Sequence, residues 1–172
     1  MIIRINKATD ATDDGIRLFT EISKPPKALV DVKPESYRPQ ILTIGPLYEM
    51  LSGSSSLYDC KALCVKRFIG RHGISNVEQL MQCIYDDPCK LNTYYSSLPN
   101  YSHETLKLMV TVDTIFLNEF LMFPRNDCES EDYNFFNTVC KNGITIKQVW
   151  KDLFLMGNQI PMSFLMKLIK EF

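Results

Sequence analysis

The stretch KDLFLMGNQIPMSFL, residues 151–165, gives the first indication of the fold. An apolar helix is followed by Gly157, by the polar pair Asn158 and Gln159, and by Pro161 at the opening of a second apolar helix. Glycine takes the left-handed conformation that ends many helices, and proline suits the first turn of the next one. Asn158 and Gln159 can then hydrogen-bond the unpaired carbonyl and amide groups at the junction. We interpret the segment mainly as a turn, with a polar pocket for a partner's backbone as the alternative.

Helical periodicity continues through much of the chain. Apolar residues three and four positions apart begin at Leu57, Val77 and Ile146, which predicts amphipathic helices there. A long helix is predicted between Ser102, which can cap it, and Pro124, which ends it. Because this long helix is apolar on nearly all sides, we expect it at the centre of a bundle.

The N-terminal part has a different pattern. Residues 22–46 contain five prolines, which rule out a long helix and favour an extended path. The apolar run at 41–44 is predicted either to form a short strand or to lie across a helical core. Residues 1–21 are polar and acidic and are expected to form a flexible leader. The predicted fold is mainly α: one domain over residues 22–172, an irregular helical bundle with an extended proline-rich N-terminal arm.

Composition argues against several classes of function. A net charge of −1 over 172 residues gives no basic field for nucleic acid. Lys107, Asp113 and Glu119 interrupt the most apolar stretch, so no transmembrane segment is predicted. The six cysteines include no CxxC pair and no zinc spacing, so we expect no metal and no cofactor. Without a signal peptide, we expect reduced thiols and a location that is cytoplasmic or peripheral to a membrane.

No catalytic motif is recognisable, because the chain has neither a phosphate-binding glycine loop nor a GxSxG elbow. Asp113 and Glu119 lie in the same apolar helix, but six residues turn a helix by about 600°, so the two carboxylates face different directions. A buried carboxylate needs a partner. We therefore expect Asp113 to be a structural residue paired with Lys61, Arg67 or Lys107, and expect no catalytic residue.

Four blocks resemble the plant "domain of unknown function 247" family. They are YRP at 37–39 with IGPLY at 44–48, Leu57 with Lys61, MVTVDTIFLNEF at 109–120, and DLFLMGNQIPMSFL at 152–165. These resemble the family's Y-x-P…SIGPYHH, L…K, MMLVDGCFILEL and DLLLLENQIPFFVL, in the same order. The family-motif positions are then Gly45, Pro46, Lys61, Asp113, Asp152, Asn158, Gln159 and Pro161. The chain departs from the family at Gly157, where glutamate is usual, at Thr114, where glycine is usual, and near Tyr48, where histidine is usual.

The resemblance implies a mostly helical plant protein with no established enzyme activity. Longer relatives often carry a C-terminal transmembrane segment, and because this chain stops soon after its NQIP block, the resemblance implies a truncated member without that anchor. Some grass members are genetically tied to self-incompatibility, which implies a role in recognition.

The last helix indicates where a partner would bind. Leu165, Ile169 and Phe172 lie on an apolar stripe that later helices would cover in a longer relative. Our first hypothesis is a non-enzymatic recognition or interaction protein with an unknown protein partner at this stripe. The alternative is a degenerate fragment without independent function, and an enzyme that uses Asp113 is third.

Overall fold

Helices account for nearly all the regular structure, as the periodicity predicts. The computed structural model describes residues 21–48, 55–84, 91, 94–95, 97–122 and 145–172. The expected leader lies outside these ranges except for Glu21. Within them there is no β-strand, and Ile22 and Tyr95 form an isolated parallel bridge. The elements are α1 (Lys27–Val32), a 3₁₀ turn (Pro34–Ser36), α2 (Ser55–His72), α3 (Val77–Ile84), α4 (His103–Leu121), α5 (Ile146–Leu153) and α6 (Met162–Glu171).

Helix α4 is the centre of the bundle and packs against α2, α3 and α6. Ser102 caps its N-terminus by accepting a hydrogen bond from the Thr105 N–H. Its side chains Val110, Ile115 and Phe116 are almost completely buried. Each such side chain contributes about 1.5–3 kcal/mol through its removal from water. In the part of the chain that the structure describes, no helix is both long and apolar enough to span a membrane.

Helix α2 turns one apolar face towards α4. Cys60, Cys64 and Phe68 on this face are at most 1% exposed, and both cysteines are free thiols. A hydrogen bond with Cys60, together with burial, raises the pKa of the Cys64 thiol far above its usual range. A thiol held in its protonated form is a poor nucleophile. The two cysteines are therefore small core residues.

The turn between α5 and α6 forms close to where the sequence places it. Thr145 and Gln148 build a capping box at the start of α5. Gly157 has the left-handed φ of +80°, but it does not end the helix, because α5 already ends at Leu153 with Phe154 as its C-cap. Pro161 lies at the N-cap of α6, one position before the first helical residue, Met162.

The arm crosses the helical core instead of forming a strand. Leu42, Ile44 and Leu47 are at most 1% exposed, so the arm supplies part of the core. Its upstream half is less extended than expected, because α1 and the 3₁₀ turn are both short helical pieces. Neither of these two pieces has a buried residue. The arm is therefore held mainly by its downstream half.

Thr111 on α4 is expected to lower the stability of the protein. Its side chain is 0% exposed, and its hydroxyl has no hydrogen-bond partner among the described residues. Burying an unpaired hydroxyl costs about 1–3 kcal/mol. We expect Thr111→Val to raise the free energy of unfolding in urea by about 1 kcal/mol. Thr114→Val is the matched control, because the equally buried Thr114 hydroxyl donates to the Val110 carbonyl at 2.7 Å and its loss should not stabilise. The same gain in both variants would contradict this account.

Candidate functional site

Four of the family-motif side chains converge on the backbone of the arm. We call Lys61, Asp113, Asp152 and Asn158 the anchoring site. They come from α2, α4, α5 and the α5–α6 turn, and they bind the arm segment, residues 40–45.

Asp152, at the C-terminal end of α5, holds the start of the arm segment. Its carboxylate accepts hydrogen bonds from three successive amides, with N···Oδ2 distances of 3.1 Å to Gln40, 2.7 Å to Ile41 and 2.9 Å to Leu42. The side chain is 1% exposed. Charge-assisted bonds of this kind are roughly twice as strong as neutral ones. The carboxylate thus accepts the hydrogen bonds that a neighbouring strand would accept from these amides in a β-sheet.

Asn158 joins the turn to the middle of the arm segment. Its Oδ1 accepts from the Ile44 N–H at 2.6 Å, and its Nδ2 donates to the Leu42 carbonyl at 2.9 Å and to the Asp152 carbonyl at 2.8 Å. Asn158 is 1% exposed, so all three bonds are made away from water. The amide therefore gives the Asp152 carbonyl, which also accepts from the Leu155 N–H at 3.1 Å, a second hydrogen bond at the end of α5, and it also binds the arm.

Asp113 and Lys61 hold the end of the arm segment. Asp113 Oδ2 accepts from the Gly45 N–H at 2.8 Å, while Lys61 Nζ donates to Asp113 Oδ1 and, at 2.7 Å, to the Thr43 carbonyl. Lys61, one of the three basic residues proposed from the sequence, is in direct contact with Asp113. The pair is largely buried, with side-chain exposures of 14% for Lys61 and 5% for Asp113. Removing either partner would leave an uncompensated charge in the core.

The remaining motif residues fix close contacts between the arm and the turn. Gly45 has φ +71°, and a Cβ on it would lie 2.3 Å from the Gln159 carbonyl oxygen. The Tyr95 hydroxyl donates to that same oxygen at 3.0 Å. Burial, together with the nearby charge of Asp113, raises the pKa of Tyr95, so the hydroxyl remains protonated and able to donate. The Gln159 side chain is exposed, whereas Pro46 and Pro161 are buried.

Two contacts were not recognisable from the sequence. The Tyr48 hydroxyl lies 3.0 Å from the Tyr37 carbonyl oxygen and 2.9 Å from that of Met156, and so links the arm to the turn a second time. Glu119 forms a two-pronged ion pair with Arg71 at 2.9 and 3.0 Å. The sequence does not indicate these hydrogen bonds of Tyr48, because the partners of its hydroxyl are backbone atoms distant in sequence.

The carboxylates do not form an acid–base pair. Asp113 bonds to Lys61 and the arm, and Glu119 bonds to Arg71, so each has its own partner. Neither described histidine joins them: His72 packs between Phe68 and Phe172, and His103 is exposed at the start of α4. Within the described ranges, no group of three or more histidine, cysteine, aspartate or glutamate side chains could hold a metal ion.

The expected partner stripe on α6 requires a correction. Leu165 is 6% exposed and lies in the core, because α6 turns the face that carries Phe164, Leu165 and Leu168 inwards. Ile169 is 52% exposed. Phe172 is 43% exposed but contacts Phe68 edge-on, with ring centroids 5.4 Å apart. Of the three residues, Ile169 alone lies clearly on the outer face.

Replacing Asn158 with alanine tests whether the NQIP segment is structural. The change removes three buried hydrogen bonds and leaves the Ile44 N–H and the Leu42 carbonyl unpaired. We expect a loss of about 2–4 kcal/mol in the free energy of unfolding. Gln159→Ala is the matched control and should change it by less than about 0.5 kcal/mol, because the Gln159 side chain is exposed. Similar losses in the two variants, measured by urea unfolding, would contradict the assignment.

The comparisons with known proteins confirm the family resemblance. A family described as "Plant protein of unknown function" matches residues 22–172. A putative UPF0481 protein from Arabidopsis thaliana is 24% identical over 173 residues, covering 98% of this chain and 31% of the relative. A second UPF0481 protein from the same plant is 25% identical over 149 residues, covering 86% of this chain and 30% of the relative.

The chain thus spans less than a third of each of these relatives. No solved structure matches it significantly. The family match includes the arm, the anchoring site and the α5–α6 turn. The chain therefore belongs to the family of plant proteins of unknown function known as "domain of unknown function 247".

Proposed function

We propose that the chain is a non-enzymatic interaction module that binds another protein through α6. The proposal is supported by the polar motif side chains, because they bind the chain's own arm. Asp113, Asp152 and Asn158 are buried and bonded to the arm of their own chain. A catalytic acid or base must reach a substrate. Side-chain oxygens that already accept hydrogen bonds from buried backbone amides stabilise the fold. The proposal therefore disfavours an enzyme that uses Asp113.

The outer face of α6, defined as Met162, Met166 and Ile169, is the binding surface that we propose. These side chains are 66%, 46% and 52% exposed, and they follow one another at positions i, i+4 and i+7. The opposite face is already in the core. A helix that is apolar on both faces is typical of a buried position. Methionine also adapts well to a partner's shape, which suits a recognition surface.

We propose that an apolar helix of a longer family member occupies this face. The matched segment makes up 31% and 30% of the two Arabidopsis relatives, so most of each relative lies outside it, and on this proposal that remainder supplies the helix. On this proposal the chain acts in the cytoplasm or at the periphery of a membrane, wherever that partner is located.

The test uses charge substitutions on the outer face. We would co-express the chain with the unmatched part of the 24%-identical Arabidopsis relative and measure the complex by size-exclusion chromatography with light scattering. Met166→Lys and Ile169→Lys should each weaken binding at least about tenfold, because each buries a charge in an apolar contact. Neither should lower the melting temperature of the chain alone. Leu63→Lys is the control, since Leu63 is a 44%-exposed leucine on a different helix, α2.

The outcomes separate the alternatives. Equal weakening by Leu63→Lys, or no complex with the wild-type chain, would contradict the proposed surface. A large loss of stability in the α6 variants would instead assign Met166 and Ile169 to the core. A wild-type chain without a cooperative thermal transition would favour the degenerate fragment.

A further inference from the structure

The anchoring site recognises the arm through its backbone. In the arm segment, the N–H groups of 40, 41, 42, 44 and 45 and the carbonyls of 42 and 43 all bond to the four side chains of the site. Proteins that bind an extended peptide work in this way, with main-chain bonds for affinity and pockets for alternate side chains. The helical part of the chain is thus built like a peptide receptor whose ligand is part of the same chain.

The contacts also define which peptide fits. Leu42, Ile44 and Leu47 fill apolar pockets and are at most 1% exposed. Gly45 is required because a Cβ would meet the Gln159 carbonyl oxygen. Gln40 and Thr43 keep more of their surface in water. The accepted pattern is therefore an apolar residue, any residue, a second apolar residue, glycine, proline and a third apolar residue.

We propose that the anchoring site also binds the arm segment of a second copy of this chain, giving a dimer with exchanged arms. A second copy carries the required pattern, and it offers the same hydrogen bonds and pockets that the chain's own arm uses. Exchange of an identical element between copies loses no contact, which makes it a low-cost route to a dimer. The arm precedes all the helices of the anchoring site, and the segment 49–54 connects it to α2.

The test mixes two variants of the 172-residue chain with complementary defects. Gly45→Val cannot place its own arm but keeps an intact anchoring site, whereas Asn158→Ala keeps an intact arm but has a damaged site. After refolding together, the arm of the second variant should occupy the site of the first. We expect a heterodimer by light scattering and a melting transition near the wild-type temperature with about half the wild-type amplitude, since one of the two sites is restored.

Two controls make the result decisive. Gly45→Val mixed with Gly45→Ala contains no intact arm and should give no recovery. Adding Ile169→Lys to both complementary variants should leave the recovery unchanged, which separates arm exchange from dimerisation through α6. A mixture that melts as the sum of its two components, or that stays unfolded while the wild-type chain folds, would overturn the proposal.

Discussion

Replacing Asp152 with alanine is expected to remove a large part of the stability of the chain. Alanine leaves three amides of the arm segment without their acceptor, and the Ile41 and Leu42 N–H groups are the closest, at 2.7 and 2.9 Å. An unpaired buried donor costs about 1–3 kcal/mol, and more when the lost acceptor is charged. Gln40 is exposed, so its amide can bond to water instead. We expect the free energy of unfolding to fall by about 3–5 kcal/mol, out of the total of about 5–15 kcal/mol typical of a domain.

Two further substitutions show whether the carboxylate itself is responsible. Asp152→Asn keeps the size and one acceptor oxygen but directs an NH₂ group at amide donors, so we expect an intermediate loss of about 2 kcal/mol. Asp59→Ala removes an exposed carboxylate on α2 and should change stability by less than about 0.5 kcal/mol. Urea unfolding followed by circular dichroism measures all three. An Asp152→Ala protein as stable as Asp59→Ala would show that the anchoring site does not hold the arm.

Gly45→Ala is expected to have the second large effect. At φ +71° a side chain costs about 1–2 kcal/mol, and the added Cβ would lie 2.3 Å from the backbone oxygen of Gln159. Relief requires the arm and the α5–α6 turn to separate, which weakens the hydrogen bond from the Gly45 N–H to Asp113. We expect a total loss of about 3–5 kcal/mol and a correspondingly lower urea midpoint.

Gly70→Ala is the matched control for the added methyl group. Gly70 lies within α2, and a Cβ there would meet no atom within 4 Å. Alanine is favoured over glycine inside a helix, so this variant should gain about 0.5–1 kcal/mol. The same substitution at 45 and at 70 should therefore change stability in opposite directions. A loss of stability in both variants, or a gain in both, would contradict the proposed close contact between Gly45 and the Gln159 carbonyl oxygen.

The helices were predictable because their signals are local. The sequence predicts Ser102 as a cap, and Ser102 and Thr145 both accept hydrogen bonds from amides within the first turn of their helices. The apolar period of α3 and the glycine at 157 likewise depend on neighbours a few positions away. Such features need no knowledge of the rest of the fold.

The anchoring site was only partly predictable because its contacts are distant in sequence. Asp152 and Asn158 bond to residues 110 to 116 positions before them. Asp113 could be assigned to the core, but three cations remained as partners until the packing of α2 on α4 selected Lys61. Which backbone amides a buried carboxylate accepts from depends on the path of the arm, and no local pattern encodes that path.

Leu165 shows a limit of periodicity. Helix α6 has apolar residues on both faces, so spacing alone defined a stripe without deciding which side turns inwards. Packing against α4 buries Phe164, Leu165 and Leu168 and leaves Met162 and Met166 exposed. The outer face proposed for binding is therefore the methionine-rich side.

Amide hydrogen exchange, measured residue by residue by NMR, tests most directly whether the motif side chains bind the arm's backbone. The N–H groups of Ile41, Leu42, Ile44 and Gly45 should exchange as slowly as those in the middle of α4, although they belong to no strand or helix. Thr43, whose N–H donates no hydrogen bond to another described residue, should exchange faster. Rapid exchange at all of these positions would mean that the arm is not held by the anchoring site.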